Sequence, residues 1–293
     1  MRRQANKMNF ENYKVKGITF EEKEGELQCT IDQCGVRATY PLAPANYSGK
    51  AKYVLMDLDG TTVKSEEYWI WLIEKTVKKL LGNPDFTFAE EDIPYVSGFS
   101  TIEHLDYCIK KYNILVDVLA ANKLYHETAE YELNEILEGR GNAEAFHPRE
   151  GLKEFFAELK NRGVKIGLAT SGLDYKAIPE IVSAFRNLEL GEPLAFYDAI
   201  ITGGKRKLKG DYGTMGEMAA KPHPWVYAEL AMGLGVLDKS EVIVLEDSSS
   251  GLISARLAGF DVIGFNDGNI LASGMAEQTY AMVDTLDDVL KLL

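Results

Sequence analysis

Cysteine is scarce in this chain: Cys29, Cys34 and Cys108 are the only three in 293 residues, with no CxxC pair and no histidine at ligand spacing. An odd, scattered set supplies neither a disulfide framework nor a zinc site, so buried or idle thiols are expected. Long apolar runs are missing too. No stretch reaches the roughly 18 apolar residues of a transmembrane span. The amino-terminal MRRQANKMNF carries positive charge but lacks the apolar segment of about 7–15 residues that a secretory signal requires, and a cytoplasmic protein is expected. Basic charge is in deficit: 32 Lys and Arg stand against 45 Asp and Glu, a net charge of -13. Such a balance argues against broad binding to nucleic-acid backbone or to an anionic membrane, while leaving room for a local basic pocket. No internal repeat or low-complexity tract is visible.

What remains is a globular composition, 46% apolar and 26% charged, in a chain long enough for one large domain or two ordinary ones. From Tyr13 to Leu42, three short β-branched and aromatic stretches are punctuated by Glu24-Gly25 and Cys34-Gly35, which predicts a small β-meander. Pro41, Pro44, Asn46, Ser48 and Gly49 then form a loop, and a boundary is placed near Gly49. Tyr53-Val54-Leu55-Met56 opens a different pattern of short apolar runs, suited to strands buried on both faces. The pattern recurs at Val164 to Ala169, Tyr197 to Thr202, Glu241 to Leu245 and Phe260 to Phe265, with helix-period segments such as Leu152 to Lys160 and Trp225 to Met232 between them. Alternating strand and helix predicts an α/β fold around a parallel sheet, with ligands at the carboxyl ends of the strands.

Over a hundred residues separate the runs ending at Met56 and Ala169, far more than one crossover needs. The excess is helical in period, around Tyr68, Trp71, Leu72, Thr76 and Leu80 and again over Leu115 to Leu137, with breakers from Gly82 to Thr101. The expected organisation is therefore an amino-terminal β segment over 1–49, a core over 50–64 and 148–293, and a helical cap over 65–147.

The first buried strand runs into Asp57-Leu58-Asp59-Gly60-Thr61-Thr62. Two carboxylates two residues apart on an extended chain point to one side, and Gly60 permits a sharp turn beyond them. Close carboxylates repel, which favours a cation and tends to lift the pKa of one partner, a pair able to divide nucleophilic from acid/base work. The second strand leads to Thr170-Ser171-Gly172, a source of hydroxyl and amide donors for phosphate. Lys221, before Pro222, His223 and Pro224, sits on an extended segment at the mouth of a helix and can reach inward as a point charge. The fourth strand ends in Glu246-Asp247, followed by Ser248-Ser249-Ser250-Gly251, an oxygen-rich cluster suited to magnesium.

In this order DLDGT, LATSG, AKP and VLEDSSSG resemble the four signature motifs of the haloacid dehalogenase superfamily, over roughly residues 50 to 293. The insert after the first motif resembles the helical-cap subgroup of phosphoglycolate phosphatase and β-phosphoglucomutase. The resemblance implies a Rossmann-like core of strand order 5-4-1-2-3. It also implies that Asp57 is the nucleophile that forms an aspartyl phosphate and Asp59 the acid and base. Thr170 with the Ser171 and Gly172 amides would hold the phosphoryl oxygens beside the Gly60-Thr61 turn, and Lys221 would offset charge. Magnesium would be held by Asp57, the Asp59 carbonyl and Asp247, with Glu246 as a direct or water-mediated ligand. Aspartate at position 59 resembles the phosphatases and phosphomutases, not the family's dehalogenases, ion pumps or phosphonatases.

In the cap, Trp69 stands where β-phosphoglucomutase has a histidine and Thr101 where it has an arginine, so the clamp for a second phosphate is missing and water is the expected acceptor. Trp69 and Thr101 are candidate substrate contacts, with Tyr68, Trp71 and the loop 95–101 around them. The expected activity is a magnesium-dependent phosphatase for a small phosphorylated metabolite, in a monomer or homodimer with no nucleic-acid or membrane partner. The alternatives are a phosphomutase and a non-catalytic sensor of a phosphorylated ligand. Lys205-Arg206-Lys207 and Lys209 in the long connection 203–220 are expected in a solvated loop, or in a flap over an anionic substrate.

Overall fold

The structure, a computed structural model, describes residues 13–33, 35–96, 101–142, 145–203 and 219–293. Cys34, residues 97–100 of the cap loop and the basic cluster Lys205-Arg206-Lys207 with Lys209 lie outside the described residues. The described chain forms two compact units. One comprises the residues up to Thr62 with Arg149–Asp174 and Leu190–Leu293, the other Val63–Pro148 with Tyr175–Glu189.

The first unit opens with the meander, β1 (Ile18–Lys23), β2 (Glu26–Gln33) and β3 (Val36–Pro41), paired antiparallel in that order. Glu24 and Gly25 link β1 to β2 with φ of 54° and 83°, the doubly left-handed two-residue turn whose twist suits a hairpin. The second sheet has six strands, all parallel: β4 (Tyr53–Asp57), β7 (Lys165–Ala169), β8 (Ala199–Ile201), β9 (Val242–Glu246), β10 (Asp261–Phe265) and β11 (Ala281–Val283). Their spatial order is β11-β10-β9-β4-β7-β8. The five strands read from sequence thus take the order 5-4-1-2-3 of a Rossmann-like sheet, and β11 extends it by one. Strand β4 is central, with β7 on one side and β9 on the other. The chain reverses its direction of winding there, so a crevice opens at the carboxyl ends of these three strands.

Helices α4 (Leu152–Asn161), α6 (Pro193–Phe196), α7 (Trp225–Gly233), α8 (Ser249–Leu257) and α9 (Leu286–Leu290) also belong to this unit. One apolar cluster joins Leu55, Val242, Val244 and Val262 of the sheet to Val226, Tyr227 and Leu230 of α7 and to Leu252 and Ile253 of α8. Cys29 and Ile31 of β2 belong to the same cluster and are fully buried. The meander therefore packs beside the core, one of three placements, with cover of an edge strand and a dimer contact, that the sequence leaves open. Burial holds the Cys29 thiol up at about 12, as it does the Cys108 thiol of the other unit, so both are unreactive apolar fillers.

The second unit contains α1 (Glu66–Leu81), α2 (Thr101–Lys111), α3 (Val118–Leu137) and most of α5 (Asp174–Leu188). Its two ends are tied by a short antiparallel pair, β5 (Val63–Lys64) with β6 (His147–Pro148). Helix α1 has Glu66 and Glu67 in its first turn, Lys78 and Lys79 in its last, and a left-handed Gly82 that closes the final carbonyls. Polar pairs from Lys75 to Glu132 (2.6 Å) and from Lys79 to Thr128 (2.9 Å) fasten α1 to α3. A short 3₁₀ helix, Glu90–Tyr95, interrupts the stretch in which only breakers were expected. Its Asp92 is wholly buried and accepts from the Ala89 amide, Tyr107, Lys111 and Tyr112 at 2.6–2.9 Å.

Candidate active site

Three strand ends of the first unit meet at Asp57. This residue closes β4 in register with Ala169 of β7, and Glu246 closes β9 on the other flank. The extended-chain argument for Asp57 and Asp59 does not carry through, because β4 stops at Asp57 and the backbone bends beyond it. Asp57 is buried and Asp59 is exposed. The two adjacent carboxylates consequently have different surroundings, the condition under which a pair divides its labour.

The bend depends on Gly60, whose φ is 82°; a Cβ there would lie 2.1 Å from Asp247 Oδ2. Glycine answers both the left-handed backbone and the close approach of the carboxylate. Thr61, also buried, donates from Oγ1 to Asp247 Oδ1 at 3.1 Å. Arg149 then locks the turn from beneath. Its guanidinium donates to the Gly60 and Thr61 carbonyls at 2.6 and 2.8 Å, pairs with Asp267 at 3.0 and 3.1 Å, and stacks 3.8 Å from the Phe265 ring. This planar, multiply bonded placement is one that lysine cannot reproduce. Arg149 was not singled out in the sequence, since its partners lie at positions 60, 61, 265 and 267.

On the β7 side, Thr170 Oγ1 donates to Asp59 Oδ2 at 3.4 Å and accepts from the Gly172 amide at 2.9 Å. Ser171 Oγ accepts the Lys221 amide at 3.0 Å, tying the second predicted motif to the third. The Lys221 side chain, 7% exposed, reaches Asp57 Oδ1, Glu246 Oε1 (2.7 Å), Tyr227 OH (3.1 Å) and the Ala169 carbonyl (3.4 Å). The lysine is thus a buried ammonium bridging two carboxylates. Burial opposes its charge, but Asp57 and Glu246 outweigh that and raise its pKa, so it stays protonated. Asp57 is pushed well up, first by burial and next by Glu246, with Lys221 pulling the other way and Asp247 and Asp59 adding to the rise.

Glu246 has no exposed surface. Its Oε1 accepts from Lys221 and from Tyr227 OH (2.5 Å), and its Oε2 from the Ser248 amide (3.2 Å) and hydroxyl (3.0 Å). A carboxylate has about four lone-pair sites, and protein donors occupy that number here. Ser248 also caps α8, accepting from the Gly251 amide at 3.0 Å. A Cβ on Gly251 would fall 1.7 Å from Glu246 Oε1, which explains a glycine in the helix's first turn. Tyr227 was missed in the sequence because an apolar-looking position on α7 gives no sign of a phenol aimed at a strand end.

Asp57, Glu246 and Asp247 bring carboxylate oxygens within 4.8 Å of one another. With Lys221 paired to Asp57 and Glu246, the three carboxylates still leave a net negative, all-oxygen cluster, and Asp57 and Asp247 offer oxygens that fit a hard divalent cation. Trp69 and Thr101 belong to the other unit. Trp69 is half-buried among Tyr68 (5.3 Å between centroids), Phe146 (5.8 Å) and the Lys176 ammonium (5.0 Å), whereas Tyr68 is buried in that unit's core. Thr101 is half-buried at the start of α2.

Residues 54–265 match the model of the haloacid dehalogenase-like hydrolases, well over half the chain. The chain belongs to that family. Among curated proteins it is 25% identical over 252 residues to a phosphonoacetaldehyde hydrolase of Bacillus cereus, covering 82% of this chain and 83% of that one. It is 24% identical over 223 residues to a phosphorylated carbohydrates phosphatase of Thermotoga maritima, covering 74% and 88%. A solved β-phosphoglucomutase from Clostridium difficile shares the fold with a TM-score of 0.54 at 21% identity, covering 82% of this chain and 93% of that one. CbbY from Rhodobacter sphaeroides, solved with phosphate, superposes with a TM-score of 0.57 at 18% identity, covering 82% and 96%. This haloacid dehalogenase-like protein is a hydrolase, and among its described residues no helix is long and apolar enough to cross a membrane.

Proposed function

We propose that this hydrolase is a magnesium-dependent phosphatase of a small phosphorylated metabolite, working in the cytoplasm as a monomer or homodimer. The observation that carries the reading is the buried Asp57–Lys221–Glu246 array beside an exposed Asp59 held at Thr170. Lys221 keeps Asp57 oriented and its charge offset, so the carboxylate can attack phosphorus. The bond from phosphorus to the leaving oxygen breaks, an aspartyl phosphate forms on Asp57, and Asp59 gives its proton to the leaving oxygen. Asp59, now ionised, takes a proton from water as that water attacks phosphorus. The bond to Asp57 breaks and inorganic phosphate leaves. Thr170, the Ser171 and Gly172 amides and the Gly60-Thr61 turn hold the phosphoryl oxygens through both steps. Asp57, Asp247 and the Asp59 carbonyl would hold the magnesium, with Glu246 behind them positioning Lys221 and Tyr227. When bound, the ion neutralises charge building on the phosphoryl oxygens.

Similarity to a phosphonoacetaldehyde hydrolase raises a second reading, cleavage of a carbon–phosphorus bond. Asp59 favours the phosphoester, because a carboxylic acid two residues from the nucleophile serves an oxygen leaving group that needs a proton. A panel of sugar phosphates, phosphoglycolate, nucleotides, pyrophosphate and phosphonoacetaldehyde, assayed for phosphate with and without magnesium, separates the two. The phosphatase reading expects metal-dependent release from a phosphomonoester that disappears in Asp57→Asn. Release from phosphonoacetaldehyde alone would replace it. Interconversion of sugar phosphates stimulated by a bisphosphate would assign a mutase, and binding without turnover a sensor.

A further inference from the structure

The meander lies outside the span matched by the family model, which starts at residue 54, yet it holds the segment that carries Lys221. His223, two residues beyond the lysine, is fully buried, and both of its ring nitrogens are engaged by the meander. Nδ1 lies 2.7 Å from the Tyr40 hydroxyl of β3, and Nε2 lies 3.3 Å from the Gln33 carbonyl at the end of β2. A carbonyl only accepts, so Nε2 carries the hydrogen and the tyrosine completes the pair at Nδ1. The histidine backbone is held as well, its carbonyl by Ser254 Oγ (2.6 Å) and its amide by the Ala220 carbonyl (3.1 Å). Pro222 and Pro224 flank it, so neither neighbour has an amide to donate and each has a fixed φ, which leaves His223 as the point where this stretch is gripped.

Support continues past the histidine. The Tyr40 ring meets His223 edge-on at 5.7 Å and Trp225 at 6.4 Å between centroids. Cys29 and Ile31 of β2 share one apolar cluster with Val226 and Tyr227. Tyr227 and Lys221 together hold Glu246 Oε1, so the two ends of the 221–227 segment, which the meander grips at His223 and Trp225, converge on one carboxylate.

We propose that the meander is a positioning element for Lys221, acting through the Tyr40–His223 pair. Tyr40 and His223 are positioning residues: neither touches Asp57, and their effect passes through the backbone of Lys221. The inference rests on the phosphoryl-transfer role of Lys221 and extends it to a segment with no catalytic constellation of its own.

The test compares Tyr40→Phe, His223→Ala and His223→Gln with the parent and with Thr39→Val, which alters an exposed hydroxyl on the neighbouring position of β3. The first readout is steady-state hydrolysis of p-nitrophenyl phosphate with magnesium. We expect kcat to fall about 10- to 100-fold in Tyr40→Phe and His223→Ala with KM within about two-fold, since small misplacements of a charge act on the reacting geometry. Thr39→Val should match the parent. His223→Gln, which offers an acceptor to Tyr40 and a donor to Gln33, should recover most of the loss. The second readout needs no turnover: acylation of lysines in the folded protein by an amine-reactive ester, quantified by peptide mass spectrometry. Lys221 should be protected in the parent and become reactive in Tyr40→Phe and His223→Ala, while exposed Lys52 and Lys110 are unchanged. Unaltered kcat with Lys221 still protected would overturn the inference, as would a loss of rate that merely tracks a lost folded fraction in thermal melts. A parent without phosphatase activity would remove the reaction while acylation still decides whether the meander sets Lys221.

Discussion

Asp57 and Asp92 are both buried aspartates with a lysine in contact, and their surroundings push them in opposite directions. Asp92 accepts from three side chains and a backbone amide. Burial raises its pKa, but hydrogen bonds from Lys111, Tyr112, Tyr107 and the Ala89 amide outweigh that and bring it down to about 2. Asp57 has Lys221 on one side but Glu246, Asp247 and Asp59 around it, and its pKa goes up. Full satisfaction makes a clamp; crowding with like charge makes a group whose demand is met by something from outside. A buried carboxylate–lysine pair is therefore not informative by itself, and the rest of its shell decides whether it holds structure or serves chemistry.

The comparison can be broken most severely at Asp57. If Asp57 is the attacking group we propose, Asp57→Asn should lower turnover by about 10⁴-fold or more while the fold survives, because the change removes the nucleophile without changing shape. Circular dichroism beside a phosphate-release assay checks both halves. Lys221→Met should cost about 10³-fold in kcat, the scale expected when a fixed charge facing the reacting group is lost. At the other aspartate the effect should fall on stability alone. Asp92→Asn turns one of the two acceptor oxygens into a donor, so two of its four donors lose their acceptor and Lys111 loses its counter-charge; it should cost ~2 kcal/mol in urea unfolding, with kcat within about two-fold of the parent.

A smaller and sharper effect concerns acid. Asp92 has a folded pKa of about 2, below the roughly 3.9 of an unfolded aspartate, so its contribution is fully present above the unfolded value and is lost as pH falls through the folded one. The parent should lose stability between about pH 4 and 2 more steeply than Asp92→Asn, and the two curves should converge at the acid end. Parallel curves would contradict the clamp.

Strands buried on both faces write themselves as continuous apolar runs, which is why β4, β7, β8, β9 and β10 were legible, while their order followed from the family resemblance carried by the motifs at their ends. The edge strand β11 went unread, and so did α2, because the region before it is dense with breakers. For the site, residues at strand ends were legible because strand ends are where a parallel sheet gathers ligands. Residues that matter through distant partners were not. Tyr227 faces Glu246, Arg149 holds a turn almost ninety positions away, and His223 meets a strand over 180 positions earlier. Nothing in the local pattern of any of the three announces its partner. The extended-chain premise for the two aspartates of the first motif does not hold past Asp57, where β4 ends, although Asp59 is still among the charges that act on Asp57.

The most direct test of the account is to trap the acyl phosphate. The protein is mixed with magnesium and an active phosphomonoester, quenched, reduced with borohydride and digested for mass spectrometry. Reduction converts a phosphorylated aspartate to homoserine, and the account predicts that change at Asp57, dependent on both substrate and magnesium. Substrate-dependent reduction at another residue, or rapid turnover with Asp57 never modified, would contradict it.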